Sequence, residues 1–356
     1  MPTERPSGIV VTVIGATGGS GVPVCLFLLG KEMQALSPVA CLRAVTRNPT
    51  GDRAAILRQR VELTCGKEAA SKLKFCKADF SNRAALETAI DGSDFLYLCS
   101  PNYRHQLAFE CSLIDIAAKC RVKRVVKMSV LKVFTGLDKK AHGVYHHRIH
   151  EYAVTKHPEL KLVTLGCPYF LQNIPMYFGY GIVTKGEFRH VLQNEDMRWI
   201  DLNDAARTVA GLLTCDSETF ERFNHRHIDL VGPDNGGMNV EKVCTLLTKY
   251  GMPTKNVQLT LDEWKKELQL GGLPDGQITN IIDFHSMLRD DTKIGQRIKF
   301  FKNHQDRMKP TYDAEPDLAR LPFSYKGTES SVEDYIKNEG VLLLKQLRSV
   351  LQRSSS

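Results

Sequence analysis

The sequence predicts an α/β fold: a Rossmann-type doubly wound parallel sheet with a smaller, mainly helical C-terminal lobe. Three observations predict it. Short β-branched runs alternate with amphipathic helical stretches five times between Ile9 and Ser129, the pattern of a parallel sheet covered on both faces. The first of these runs opens into regularly spaced glycines and then an apolar helix. From Asn239 onward the pattern is mainly helical.

Ile9–Ile14 reads as a buried strand. It breaks into Gly15, Gly18 and Gly21 at three-residue spacing, and a helix follows with Val22, Val24, Leu26, Phe27 and Leu29. Strand, glycine turn and helix N-terminus make a phosphate cradle. Gly15 allows the tight turn, Gly18 a close backbone approach to a pyrophosphate, and Gly21 close packing of helix on strand. The first helical N–H groups and the positive end of the dipole face the anion. Pro23 fits, because a first-turn proline gives up an N–H that has no intrahelical partner.

Ala40–Thr46 is the second strand, Asp52–Arg60 a helix, Lys72–Asp79 the third strand and Arg83–Ile90 a helix. Asp94–Ser100 is the fourth strand, Gln106–Lys119 an amphipathic helix and Arg124–Ser129 the fifth strand. A helix over Tyr145–Thr155 leads to the strand Lys161–Leu165. Tyr177–Gly181 reads as a glycine- and aromatic-rich loop, with short strands near Phe188 and Trp199. Asp201–Thr214 is a helix with Asn203 or Asp204 as N-cap, and His227–Val231 one more strand. Helices follow at Val240–Leu247, Leu261–Leu270, Ile278–Leu288 and Val332–Leu351. This gives a dinucleotide-binding domain over residues 1–170, with 195–231 completing the sheet, and a substrate or partner lobe over 171–194 and 232–356.

The 356 residues suffice for such a domain and lobe, and 42% hydrophobic with 25% charged residues is ordinary for a globular chain. The net charge of +8 is spread along the chain rather than blocked, so no nucleic-acid partner is expected. Ten cysteines occur without a C-x-x-C pair, as free thiols of a reducing compartment do. The N-terminus carries no apolar signal segment and no run reaches membrane-spanning length, so a cytoplasmic protein without membrane contact is expected.

The choice of dinucleotide rests on the end of the second strand. An acidic residue there takes the ribose 2′-OH of NAD, whereas an arginine suits a 2′-phosphate. Here the strand ends Val45-Thr46-Arg47-Asn48, with no carboxylate before Asp52, which points to NADP(H).

Gly15-Ala-Thr-Gly-Gly-Ser-Gly21, Arg43-Ala-Val-Thr-Arg-Asn-Pro49, Ala78-Asp79, Gly166-Cys-Pro-Tyr-Phe-Leu-Gln-Asn173 and Met197-Arg-Trp-Ile-Asp-Leu-Asn-Asp204 together resemble the NmrA-like family of atypical short-chain dehydrogenases. The resemblance covers about residues 8–270. It implies a Rossmann fold with NADP(H) across the strand ends. Thr17, Gly18, Gly19 and Gly21 would face the pyrophosphate and Arg47 the 2′-phosphate. Asp79 and Phe80 would face the adenine, Ser100 and Pro101 the central ribose side, and Met128 and Ser129 the nicotinamide. The family includes quinone and aromatic-substrate reductases, and members that bind NADP(H) without turnover as redox sensors or regulators. A small-molecule substrate or a regulatory protein partner follows.

The wider superfamily uses a Tyr-x-x-x-Lys pair, and NmrA-like reductases often keep the lysine four residues before a glutamate. Glu151 matches that glutamate, which puts His147 at the lysine position, and Tyr145 is followed four residues later by Ile149. Tyr152 and Lys156 have the spacing but lie too far along the helix. His147 and Tyr145 are therefore the catalytic candidates, and histidine can donate to a ribose hydroxyl or a carbonyl. His142, His146 and His150 form an i, i+4, i+8 stripe, but without an H-E-x-x-H motif or a cysteine partner no metal is expected. No G-x-S-x-G elbow supports a hydrolase.

Overall fold

The computed structural model describes residues 8–100, 105–132, 142–192, 199–230, 232–234, 238–287 and 330–354. Strand β1 (Ile9–Ile14) leads to α1 (Gly21–Leu29) and α2 (Lys31–Leu36), then β2 (Val39–Thr46), α3 (Asp52–Cys65), α4 (Lys67–Lys72) and β3 (Leu73–Lys77). Next come α5 (Arg83–Ile90), β4 (Phe95–Leu98), α6 (Gln106–Lys119), β5 (Arg124–Val130), α7 (His142–Lys156) and β6 (Leu162–Cys167). After β7 (Tyr169–Phe170) a π-helical turn, Ile174–Phe178, runs into α8 (Gly179–Lys185), β8 (Glu187–His190) and β9 (Trp199–Ile200). Then follow α9 (Leu202–Thr214), α10 (Ser217–Glu221), β10 (His227–Asp229), α11 (Val240–Lys249), β11 (Lys255–Gln258), α12 (Leu261–Leu270) and α13 (Asp275–Met287). The last described helices are α14 (Val332–Tyr335) and α15 (Val341–Ser354), joined by a π-helical turn.

Seven parallel strands form one sheet in the order β10-β6-β5-β4-β1-β2-β3. The order reverses between β1 and β4, and the carboxyl ends of those strands open the crevice where such folds bind ligands. Side-chain alternation sorts the strands onto two cores. Val11, Val13, Tyr97, Val126, Met128 and Val163 pack against α1, α3 and α9, while Ile14, Leu98, Val125 and Leu162 pack against α5, α6 and α7. A separate core joins Phe178, Phe188, Leu247, Trp264, Tyr335 and Leu344, drawn from the segments after β6 and after β10. No described helix is long and apolar enough to cross a membrane.

Several local expectations change. Tyr177–Gly181 is not a loop: it lies in the π-turn and α8, because Phe178 and Ile182 bury one face in the third core. The N-cap of α9 is Asp201, whose carboxylate accepts from the Asn203 N–H at 2.7 Å, so Asn203 and Asp204 lie inside the helix. The helix after β2 runs five residues beyond Arg60, to Cys65. Strand β11 pairs in parallel with β8, a long-range pairing that no local pattern announces.

Candidate functional site

The glycine turn is a fitted piece of backbone. Gly15 has φ +76°, and a Cβ there would lie 2.2 Å from the Cys99 carbonyl oxygen. A Cβ on Gly21 would lie 2.1 Å from the Gly15 carbonyl oxygen and 2.7 Å from the Ala16 Cα, so only glycine lets α1 start against the end of β1. The Gly18 N–H turns inward to the Gly15 carbonyl at 2.9 Å, which leaves Gly19 exposed at the tip and Thr17 partly exposed. The Ser20 hydroxyl donates to Cys99 Sγ at 3.0 Å and ties the turn to the end of β4.

The neighbouring strand ends bring several of the expected site residues near one another. The Ala78 N–H donates to the Thr46 carbonyl at 3.1 Å, so Arg47 and Asp79 emerge side by side. The Asp79 carboxylate accepts from the Ser81 hydroxyl at 2.6 Å and the Ser81 N–H at 2.9 Å. These bonds, followed by the Arg47 charge, hold its carboxyl below the usual carboxylate range. Phe80 stacks on Phe109 of α6 with ring centroids 5.6 Å apart. Ser100, Met128 and Ser129 are buried at the ends of β4 and β5. The Cys167 thiol lies 3.3 Å from Met128 Sδ. The Ser129 hydroxyl is buried with no hydrogen-bond partner among the described residues, a polar atom that fits a ligand at the strand end. Pro101 lies outside the described residues.

On α7 the helix register matters. His147 is 40% exposed and pairs with Glu151 at 3.2 Å one turn along, and Tyr145 packs partly buried against the core of α5 and α6. The residue that turns inward is His146, 4% exposed. Its Nδ1 lies 2.7 Å from the Nζ of Lys127, a lysine in the middle of β5 with no exposure at all. Lys127 also pairs with Glu110 of α6 at 2.9 Å and donates to the Met128 carbonyl at 2.9 Å. The Ser100 hydroxyl donates to the other Glu110 oxygen at 2.5 Å, and Gln106 Nε2 lies 3.1 Å from that oxygen and 3.3 Å from His146 Nε2.

Strand register explains the placement. Val45, Ile14, Leu98, Lys127, Thr164 and His227 are successive partners across β2, β1, β4, β5, β6 and β10, and so share a face. The row is apolar as far as Leu98 and polar from Lys127 on. Thr164 meets His150 Nδ1 at 2.8 Å, and His227 Nε2 meets the Val130 carbonyl at 3.0 Å. Burial, then the Lys127 charge, pushes His150 down to about 4; burial, then His150, pushes His227 down to about 3. Both are neutral imidazoles. Sequence reasoning missed this cluster, although a lysine inside Arg124-Val-Val-Lys-Met-Ser129 was the signal: a charge in a doubly covered strand must be paired. Among the described residues, no group of three or more His, Cys, Asp or Glu is placed to hold a metal.

No protein-family model and no curated protein matches this chain. Solved structures do. The crystal structure of NmrA, a negative transcriptional regulator, is similar with TM-score 0.67 and 12% identity, covering 96% of this chain and 98% of that one. The Escherichia coli NADPH-dependent quinone oxidoreductase complexed with NADPH gives 0.65 and 17%, covering 92% and 98%. The Citrobacter sp. triphenylmethane reductase complexed with NADP(H) gives 0.65 and 13%, covering 92% and 99%. At such identities the likeness establishes architecture: this chain has the Rossmann-type fold, with a helical C-terminal part, that the NmrA regulator and these reductases share.

Proposed function

We propose that this chain is an NmrA-like NADP(H)-binding oxidoreductase that reduces a small carbonyl or quinone substrate. The observation that carries the reading is the glycine turn, where a Cβ on Gly15 or Gly21 would collide with backbone, set beside an exposed Arg47 and a Ser129 hydroxyl with no hydrogen-bond partner among the described residues. Thr17, Gly18, Gly19 and Gly21 would hold the pyrophosphate, Arg47 the 2′-phosphate, and Asp79 and Phe80 the adenine end. Ser100 and Pro101 would face the central ribose side, and Met128 and Ser129 the nicotinamide. When bound, NADPH supplies the hydride, and this chain's residues orient, exclude water and manage the proton. His147 and Tyr145 remain candidates for contacts to the ribose and substrate. In this reading residues 1–170 with 195–231 bind the dinucleotide, and 171–194 with 232–356 take the substrate.

A second reading is a redox sensor that binds a protein partner without turnover. It is favoured by the outward-facing His147–Glu151 pair where a ribose-binding lysine is expected, and by the likeness to a transcriptional regulator. NADPH oxidation against a panel of quinones and aromatic carbonyls separates the two. Steady turnover supports the reductase. Tight binding without turnover across the panel overturns it and leaves the sensor.

A further inference from the structure

The amino ends of β4, β5 and β6 frame a cavity of about 520 Å³, a size usual for small-molecule sites. Phe95 and Arg124 open β4 and β5 as register partners, and Lys161 precedes β6. Ser129 lies five residues along β5 from Arg124, about 17 Å at the rise of a strand, so the cavity and the candidate dinucleotide site sit at opposite ends of the sheet. Buried Phe95, Val122 and Leu160 give the cavity apolar lining, and Arg121, Lys123, Arg124 and Lys161 give it four cations. Two of these are neutralised: Lys123 pairs with Asp94 at 2.8 Å, and Lys161 pairs with Glu221. The two arginines are not.

Arg124 is 6% exposed, and its guanidinium lies between the rings of Phe95 and Phe220, 5.0 and 4.9 Å from their centroids. Its Nη1 donates to the Leu213 carbonyl at 3.2 Å and to the Cys215 carbonyl, and its Nη2 to the Ser217 hydroxyl at 3.2 Å. The carbonyls at the end of α9 offset part of the charge. The Nε–H and one Nη2–H, neighbouring donors of the kind a carboxylate accepts together, have no acceptor among the described residues. The carboxylates whose charge reaches Arg124 are engaged elsewhere. Asp216 caps α10 through the Thr219 N–H at 2.8 Å, and Glu221 holds Lys161.

Arg121 stands where a helix usually ends in glycine. The Val122 N–H donates to the Ala117 carbonyl at 2.9 Å and the Arg121 N–H to the Ala118 carbonyl at 3.0 Å, closing α6 with Arg121 in the left-handed position at φ +56°. L side chains are crowded there and glycine is not. The Arg121 side chain is exposed, lines the cavity, and makes no hydrogen bond or ion pair among the described residues. A strained residue that does nothing for the fold points to a ligand.

We propose that this cavity is a second ligand site, which takes a small monocarboxylate with a flat apolar body. The carboxylate bonds to the Nε–H and Nη2–H of Arg124, and Arg121 meets it from the rim. The Ser217 hydroxyl, which accepts from Arg124, has its own proton to donate to a carboxylate oxygen. The apolar body lies against Phe95, Val122 and Leu160. Glu159 is the one carboxylate among the lining residues, so the two arginines leave a single positive charge, the balance for a monoanion. A phosphate dianion would exceed that charge and leave the apolar lining unused. The site goes beyond the dinucleotide reading and does not depend on it.

Titration of the full chain, labelled with nitrogen-15, with 2-naphthoate, 2-naphthamide and inorganic phosphate tests the site by amide shifts. 2-Naphthoate should bind with Kd of about 1 mM or tighter, its shifts centred on Arg121, Arg124, Lys161 and Ser217. The neutral amide and phosphate should each bind at least about tenfold more weakly. Arg121→Gly puts the preferred residue at the left-handed position, so it should leave Tm unchanged or raised while weakening 2-naphthoate about tenfold. Arg124→Lys keeps the charge, loses the paired donors and should weaken binding at least as much. No binding of 2-naphthoate at ten times the expected Kd, equal binding of the amide, tighter binding of phosphate, or indifference to Arg121→Gly would overturn the proposal. NADPH affinity should stay within about twofold in saturating 2-naphthoate, since the sites are far apart. Competition between them would place the anion in the dinucleotide crevice and overturn the proposal. A chain that binds no NADPH would sink the dinucleotide reading, while the 2-naphthoate shifts would still decide this site.

Discussion

Acidification should destabilise this fold through two histidines on the polar side of the sheet. His150 and His227 are held near 4 and 3 against an ordinary value of 6.5. Their folded forms resist protonation while the unfolded chain accepts it, so stability falls as pH drops below about 6.5 and goes on falling to about pH 4 and 3. At pH 5 an unfolded histidine is almost fully protonated and these two are almost wholly neutral. Each then costs about 2 kcal/mol relative to pH 8, about 4 kcal/mol together. Against a usual total of about 5–15 kcal/mol that is a large fraction. The perturbation is His150→Gln with His227→Gln, which keeps groups able to bond Thr164 Oγ1 and the Val130 carbonyl but removes the titration. Urea unfolding of both proteins at pH 8 and pH 5 gives the four free energies. The wild type should lose about 4 kcal/mol more than the variant between the two pH values. Equal losses would refute the argument that these imidazoles are buried neutral.

Two further substitutions probe the elements that position the site. Gly21→Ala puts a methyl 2.1 Å from the Gly15 carbonyl, so backbone must move. Thermal unfolding should show a loss of about 1–3 kcal/mol or more, together with weakened NADPH binding. Lys127→Met leaves Glu110 buried without its cation and should cost about 3–5 kcal/mol in urea unfolding, whereas Lys127→Met with Glu110→Met should recover most of that loss.

Much of the sheet was legible in the sequence because parallel strands buried on both faces are nearly continuous apolar runs, and because the glycine turn admits few other residues. The end of β2 was legible too: the run closes at Thr46 before Arg47-Asn48-Pro49, and the strand stops there. What stayed hidden depends on contacts distant in sequence. Tyr177–Gly181 has loop composition, yet it is helical because Phe178 and Ile182 have a core to enter. Strand β11 exists only as a partner of β8. On α7 one residue decides the matter: adjacent helical positions point about 100° apart. His147, matched by spacing to Glu151, looks outward, while His146 meets a lysine from the middle of β5. The period of a helix could be read from the sequence; its phase against the sheet could not.

The central claim is that the glycine turn and Arg47 hold NADP(H). Isothermal calorimetry of wild type and Arg47→Ala with NADPH and NADH tests it most directly. Wild type should bind NADPH in the micromolar range and well above NADH. Arg47→Ala should weaken NADPH at least tenfold, about 1.4 kcal/mol, and leave NADH within about twofold. No NADPH binding at millimolar concentration, or equal weakening of both dinucleotides, would contradict the account.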